Sequence, residues 1–188
     1  MAAWLSDTPP DFRFTVKSQR GGSLRAFGAA APDTLAWLTG PYRLFGERLG
    51  CVLFRVPANV RRDDARLSAL LAAWPSDLPL SLDFKHTSWH SDEVFELLHD
   101  RRVTLCATDL DDGDPPDLRL TGRFIYLRLR RTSYTDAELA TWSNRLAPFL
   151  ADGRDCYVFF RHDEHGQSAI RARRLVTRTA KDGTNRHP

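Results

Sequence analysis

The chain has 188 residues and a formal charge of +3, with 42% hydrophobic and 27% charged residues. That composition predicts a single globular domain over residues 1–178, followed by a disordered tail over 179–188. The basic residues are spread along the chain, so charge alone does not indicate a polyanionic partner. No stretch approaches the ~20 apolar residues of a membrane span and no signal peptide is evident, so we expect a soluble cytoplasmic protein.

Short apolar segments alternate with helix-like stretches, which predicts an α/β fold with a parallel sheet. The six predicted strands cover residues 12–17, 51–56, 80–85, 103–109, 124–130 and 156–161.

A complete (β/α)₈ barrel needs eight strands in about 250 residues, so six strands predict a TIM-like barrel that lacks about two βα units. A helix stub at 1–5 places the loss on the amino-terminal side. The rival architecture is an open doubly wound sheet, which usually carries a Gly-rich phosphate turn after its first strand. Gly21 and Gly22 lack that spacing, and we interpret them as part of an ordinary loop.

Capping residues predict where several of the connecting helices begin. Asp33 can cap a helix that carries Leu35, Leu38, Leu44 and Leu49, although Gly40 and Pro41 must break or kink it. Further helices begin near Asp63, Ser91 and Thr135. The acidic segment 109–120 has no apolar periodicity, so two strands can meet there without a helix between them.

Three cysteines lie inside predicted strands, at Cys51, Cys106 and Cys156. Their odd number and wide spacing argue against a disulfide framework and a zinc site. We expect small buried thiols in a reducing compartment.

Charged residues stand where nearly every predicted strand ends, and ligands of such sheets bind beyond the carboxyl ends of the strands. The alternation in 80–85 puts Ser81, Asp83 and Lys85 on one face, opposite Leu82 and Phe84. Arginine matches carboxylate and phosphate oxygens, so we expect a phosphorylated or carboxylated small molecule here. The candidate ligand-binding residues are Lys17, Arg55, Asp83, Lys85, Trp89, Asp109, Arg128, Arg161 and Asp163.

Other interpretations of these residues stay open. The charges can pair with one another and plug the core without binding anything. Asp109 can be a general base or a cap of the acidic loop, and Trp89 can stack on a ligand ring or cover the core. No catalytic residue is assigned, and the sequence does not decide whether the protein is an enzyme.

Histidines cluster after two strands, at His86 and His90 and at His162 and His165. Beside Asp163 and Glu164 they could ligate zinc or manganese, but a solvated polar loop explains the run better. No P-loop, dinucleotide fingerprint or nucleophile turn is present, so we expect neither a metal nor a cofactor.

The segments FRFTVK, VLFRVP, LDFKHTSW, FIYLRL and YVFFRHDEHG, in this order and spacing, resemble the YecE-like family, called domain of unknown function 72. The resemblance covers about residues 4–175. It implies a TIM-like barrel, a bacterial cytoplasmic origin and no established activity. Members of that family begin with two further βα units, about 60 residues in all.

Several residues match the family pattern and others depart from it. The matching residues are Lys17, Ser88, Trp89, Arg128 and Asp163. Arg55 stands where the family usually has Gln, and Asp83 and Lys85 replace Glu and Arg. Arg130 and Arg131 replace His-Gly, and Arg161 and His162 replace an Asn pair.

Two alternative functions remain, a nucleic-acid or protein interaction module and an inactive truncated barrel. The first would use scattered arginines, namely Arg61, Arg62, Arg101, Arg102, Arg171, Arg173 and Arg174. One deep basic pocket would favour the small molecule, and one broad basic face would favour the module. Exposed edges of strands 12–17 and 156–161 would also promote self-association.

Overall fold

Strands and helices alternate along the chain in the computed structural model, which describes residues 2–29 and 32–184. The strands are β1 (Phe14–Lys17), β2 (Leu49–Val56), β3 (Leu80–Phe84), β4 (Thr104–Asp109), β5 (Ile125–Leu129) and β6 (Cys156–Phe160). The helices are α1 (Ala2–Ser6), α2 (Arg20–Ala29), α3 (Pro32–Thr39), α4 (Asp64–Ala73), α5 (Asp92–Asp100), α6 (Asp136–Ala151) and α7 (Gln167–Thr184). Short 3₁₀ segments cover Gly40–Arg48 and Thr87–Trp89. All six predicted strands are thereby confirmed.

The chain divides into two compact units, Met1–Val103 and Thr104–Pro188. The single-domain interpretation stays a prediction.

In the first unit, β1, β2 and β3 pair in parallel, and their register decides which side chains share a face. Thr15 pairs with Cys51, and Arg55 pairs with Asp83. Alternation then puts Thr15, Lys17, Cys51, Leu53, Arg55, Ser81 and Asp83 on one face. The opposite face carries Phe54, whose ring contacts those of Phe27 and Trp74 from the covering helices.

In the second unit, β4, β5 and β6 pair in parallel with the same alternation. The helix-facing side builds a core in which Leu127 and Leu129 pack with Leu139, Trp142 and Leu146 of α6. The other face carries Cys106, Thr108, Tyr126, Arg128, Tyr157 and Phe159. Bulky apolar residues therefore fill the helix side of both units.

The predicted helix starts at Asp63, Ser91 and Thr135 are confirmed. The Asp63 side chain accepts a hydrogen bond from the Arg66 backbone N–H at 3.0 Å. Thr135 and Glu138 form a capping box that satisfies the first turn of α6. No helix lies between β4 and β5, as the acidic segment predicted.

The loop interpretation of Gly21 and Gly22 is wrong, because both residues lie in α2. The three glycines of α2 give it a low helix propensity, but its buried Ala26 and Phe27 hold it against the core. Gly22 has a packing reason, since a Cβ there would lie 2.8 Å from the Leu38 side chain. Glycine thus lets α2 approach α3 closely.

The predicted helix after Asp33 is shorter than its leucine pattern suggests. Helix α3 ends at Thr39, and a 3₁₀ segment follows from Gly40. Leu44 is exposed in that segment and Leu49 belongs to β2. Proline at position 41 prevents a continuous helix there.

Helix α7 continues into the segment predicted as a tail, so residues 179–184 are helical. Leu175 is buried and anchors α7 to the core of the second unit. Residues 185–188 lie outside the described part of the chain. None of the helices within the described residues is long and apolar enough to cross a membrane.

Gly122 gives a test of packing in the second unit. A Cβ there would lie 2.3 Å from Thr104 Oγ1 and 2.8 Å from the Thr104 backbone nitrogen. We expect Gly122→Ala to lower the free energy of unfolding by about 1–3 kcal/mol, because the backbone of β4 would have to move. Urea denaturation measures the change.

The matched control is Gly28→Ala in α2, where a Cβ would meet nothing within 4 Å. Alanine should stabilise that helix by about 0.5–1 kcal/mol. Equal effects of the two substitutions would show that Gly122 is not a packing constraint.

Candidate functional site

Four predicted residues lie on one face of the first unit, and we call Lys17, Arg55, Asp83 and Lys85 the first-unit cluster. Asp83 Oδ2 accepts a hydrogen bond from Arg55 Nε at 3.1 Å, and its Oδ1 lies 2.9 Å from Lys85 Nζ. The Asp83 side chain is 1% exposed. A carboxylate buried this deeply needs charged partners, and the register of β2 and β3 supplies Arg55.

The Arg55 guanidinium is only partly used by this pair. Nε bonds to Asp83, whereas neither terminal nitrogen is hydrogen-bonded to another described residue. The side chain is 40% exposed, compared with 23% for Lys85. Asp83 therefore fixes the guanidinium and leaves its two terminal nitrogens as donors that match the oxygens of a carboxylate or a phosphate.

Ser81 adds a polar group to the same face, two residues before Asp83. Its hydroxyl oxygen is buried and has no hydrogen-bond partner among the described residues. Nearly all buried polar atoms are hydrogen-bonded, so this oxygen is an exception on the cluster's own face.

The loops that follow β2 and β3 are tied together beside the cluster. The Arg62 backbone N–H donates to Ser88 Oγ at 2.8 Å, and that oxygen lies 2.9 Å from His86 Nδ1. The Arg62 guanidinium forms two 2.7 Å hydrogen bonds to Asp64 and a 3.1 Å bond to Glu93. The hydrogen bond with Arg62 holds the pKa of Asp64 below its usual range.

Trp89 belongs to the core. Its side chain is fully buried, and its ring stacks on Phe84 with the centroids 4.6 Å apart. Phe27 contacts the ring edge-on, and the indole N–H donates to the Val60 carbonyl at 2.9 Å. The structure therefore places Trp89 as a lid on the core and not as a surface for a ligand ring.

In the second unit, Asp109 lies at the end of β4 in a buried hydrogen-bond network. Its side chain is 1% exposed and accepts hydrogen bonds from Arg131 Nε and the Tyr134 hydroxyl, both at 2.9 Å. Burial is the largest cause that raises the pKa of Tyr134 well above its usual range. Asp109 pairs in register with Leu129, so it does not share the face of Arg128.

The remaining candidates of the second unit have different surroundings. Arg128 pairs with Thr108 and Phe159 on the face away from the helices. Arg161 is 53% exposed, donates to Thr132 Oγ1 at 3.3 Å and lies 3.8 Å from Asp111 Oδ2.

Asp163 caps helix α7. Its carboxylate accepts hydrogen bonds from the backbone N–H groups of His165, Gln167 and Ser168. Its hydrogen bonds with Ser168 are the largest cause that holds the pKa of Asp163 well below its usual range. A capping carboxylate has its lone pairs committed to the helix, and sequence reasoning missed this role although an acidic residue ahead of a helix is its usual signal.

The histidine loops do not form a metal centre within the part of the chain that the structure describes. No group of three or more His, Cys, Asp or Glu side chains there is arranged to hold a metal ion. His162 and His165 are exposed.

Parallel strands that alternate with helices, with charged groups at their carboxyl ends, define an α/β protein of the TIM-like barrel class. The family model described as "Protein of unknown function DUF72" matches residues 1–188, and the chain belongs to this family. The resemblance seen in the sequence is thereby confirmed. A comparison with curated proteins found no match.

Solved structures of DUF72 family proteins share the fold. A protein from Thermotoga maritima MSB8 matches with a TM-score of 0.75 and 23% identity, over 96% of this chain and 78% of that one. A protein from Enterococcus faecalis V583 matches with a TM-score of 0.75 and 17% identity, over 94% of this chain and 81% of that one. The predicted α/β incomplete barrel, with six strands where a complete barrel has eight, is confirmed.

Tyr134→Phe tests the Asp109 network. The substitution removes the hydroxyl that donates to Asp109 and accepts from the Arg131 backbone N–H at 3.2 Å. Hydrogen bonds to a buried charge are worth about 1.5–3 kcal/mol, so we expect a loss of that size in the free energy of unfolding. Thr141→Ala, which removes an exposed hydrogen bond on α6, is the control and should cost almost nothing. A loss no larger than the control's would contradict the network.

Asp163 should make stability depend on pH. A carboxyl whose pKa falls on folding stabilises the folded state above its unfolded pKa of ~3.9 and loses that contribution as the pH falls further. The comparison is with Asp163→Asn, which keeps an acceptor oxygen but does not titrate. We expect the difference in Tm to be constant from about pH 7 to 5 and to shrink below about pH 4. A difference independent of pH would exclude the ionised cap.

Proposed function

We propose that the first-unit cluster binds a small phosphorylated or carboxylated molecule at the carboxyl ends of β1, β2 and β3. The observation that carries the proposal is the state of Arg55, whose Nε is held by buried Asp83 while both terminal nitrogens remain available as donors. A guanidinium fixed in this way binds an anion with little further loss of side-chain freedom.

The charge of the cluster supports an anionic ligand. Lys17, Arg55 and Lys85 are cationic, and Asp83 is the carboxylate that shares their face among the described residues. Lys17 is exposed at the end of β1, on a strand about 4.8 Å from β2. Strand ends are also where barrels of this class bind their ligands.

The proposed activity is binding, without an assigned reaction. Both oxygens of Asp83 already contact cations, so no reaction step is assigned to this carboxylate. Trp89 is left out of the proposed site because its ring is covered by core residues. Asp109 is left out because its carboxylate is sealed by Arg131 and Tyr134.

The interaction-module alternative receives less support. Several arginines that a nucleic acid or acidic protein would need are engaged within their own unit. Arg62 pairs with Asp64 and Glu93, and Arg174 pairs with Asp136.

A bacterial cytoplasmic location completes the proposal. Cys51, Cys106 and Cys156 form no disulfide with one another, as suits a reducing compartment. The solved relatives named above come from bacteria.

The test is ligand-dependent stabilisation of the purified chain. Inorganic phosphate, a sugar phosphate and a dicarboxylate are titrated while Tm is followed. A ligand at 100-fold above its Kd should stabilise the fold by about 2.7 kcal/mol. Arg55→Ala should reduce this shift strongly, because it removes the fixed donors.

The matched control is Arg101→Ala. Arg101 is exposed at the carboxyl end of α5, which runs back from the end of β3, so it lies far from the cluster. Its replacement should leave the ligand-dependent shift unchanged. No shift with any anion in the parent, or an equal loss in both variants, would mean that the cluster is an internal salt bridge only.

A further inference from the structure

Strand β6 presents an unpaired edge. It is the last strand in the sheet order and pairs only with β5. The Ile125 N–H donates to the Asp155 carbonyl at 2.9 Å, and the Arg161 N–H donates to the Leu129 carbonyl at 2.8 Å. Odd-numbered residues of this stretch therefore bond to β5, and the backbone groups of Cys156, Val158 and Phe160 point to the opposite edge. No strand covers that edge within residues 2–29 and 32–184.

Nothing on β6 protects this edge. Proteins guard edge strands with proline, lysine or a bulge. At the other end of the strand order, β1 has Pro10 ahead of it, ends at Lys17 and has an irregular register at Phe14 and Thr15. Strand β6 reads CYVFF and has none of these features. Phe159 is 39% exposed, and Val176 of the adjacent α7 is 66% exposed.

We propose that β6 binds β6 of a second copy of this chain, antiparallel and centred on Val158. This register pairs Val158 with its own equivalent and Cys156 with Phe160 of the second copy. These are the residues whose backbone groups face the free edge, so each pair can exchange two hydrogen bonds. A centre on Tyr157 or Phe159 would also bring residues with free backbone groups opposite one another, so the hydrogen bonds alone do not select the centre.

Charge complementarity selects this register among those that the hydrogen bonds allow. Asp155 lies opposite Arg161 of the second copy, and the two-fold axis repeats the pair, because both residues are three positions from Val158. Both side chains are exposed. Tyr157 lies opposite Phe159 of the second copy, and aromatic cross-strand pairs stabilise antiparallel strands. Shifting the centre to Cys156, Tyr157, Phe159 or Phe160 loses these ion pairs.

The test measures the oligomeric state of the full chain by sedimentation velocity across a concentration series. The parent should form a dimer. Asp155→Arg alone places two arginines opposite each other and should weaken the dimer at least ~10-fold in Kd, which is about 1.4 kcal/mol. The double variant Asp155→Arg with Arg161→Asp recreates both ion pairs and should restore dimerisation.

Val158→Pro is an independent test of the backbone pairing. It removes an N–H that faces the free edge and so costs no hydrogen bond with β5. This variant should be monomeric, and near-ultraviolet circular dichroism checks that it is folded. A parent that stays monomeric up to its solubility limit, or a double variant as weak as Asp155→Arg alone, would overturn the proposal. Larger assemblies that are insensitive to Asp155 would mean that another surface is responsible.

Discussion

The two-residue alternation of the strands is the constraint on which the rest of the structure depends. Each strand buries bulky side chains against helices, as Phe54 does in the first unit and Leu127 in the second. The neighbouring residues must then point to the other face, whatever their polarity. Arg55 and Asp83 share a face for this reason, and the parallel register brings them side by side. The site chemistry of the first unit thus follows from its packing.

The strand alternation places two buried carboxylates, Asp83 and Asp109, on different faces of their strands, and their cationic partners differ in exposure. Asp83 lies away from the helices, and its partner Arg55 is 40% exposed. Asp109 lies on the helix side, and its partner Arg131 is 21% exposed and also reaches Glu138. Both carboxylates need cations because burial would otherwise be prohibitive. Arg55 beside Asp83 is more exposed than Arg131 beside Asp109, and both of its terminal nitrogens lack a hydrogen bond to a described residue.

The strands and the helix starts could be predicted because both depend on local patterns. Thr135 and Glu138 form a capping box that is visible in four residues, whereas α2 holds three glycines and depends on contacts with α3. That Asp109 and Arg128 lie on different faces could be established only from the register of β4 and β5. Charged residues at strand ends predict the region in which a site would lie. Which of these residues share a face depends on the strand alternation and on whether a residue caps a helix instead.

The family resemblance implies other residues at three positions of the first-unit cluster, and one of these three differences changes the charge. Asp83 and Lys85 replace Glu and Arg, which keeps one carboxylate and one cation at the same two positions with shorter side chains. The 2.9 Å distance between Asp83 Oδ1 and Lys85 Nζ shows that the shorter side chains still form an ion pair. The resemblance implies a neutral Gln at the position of Arg55, so this face carries one more positive charge than the resemblance implies. Asp83 binds Lys85 through Oδ1 and Arg55 through Oδ2, so one carboxylate faces two cations and the excess positive charge favours an anion.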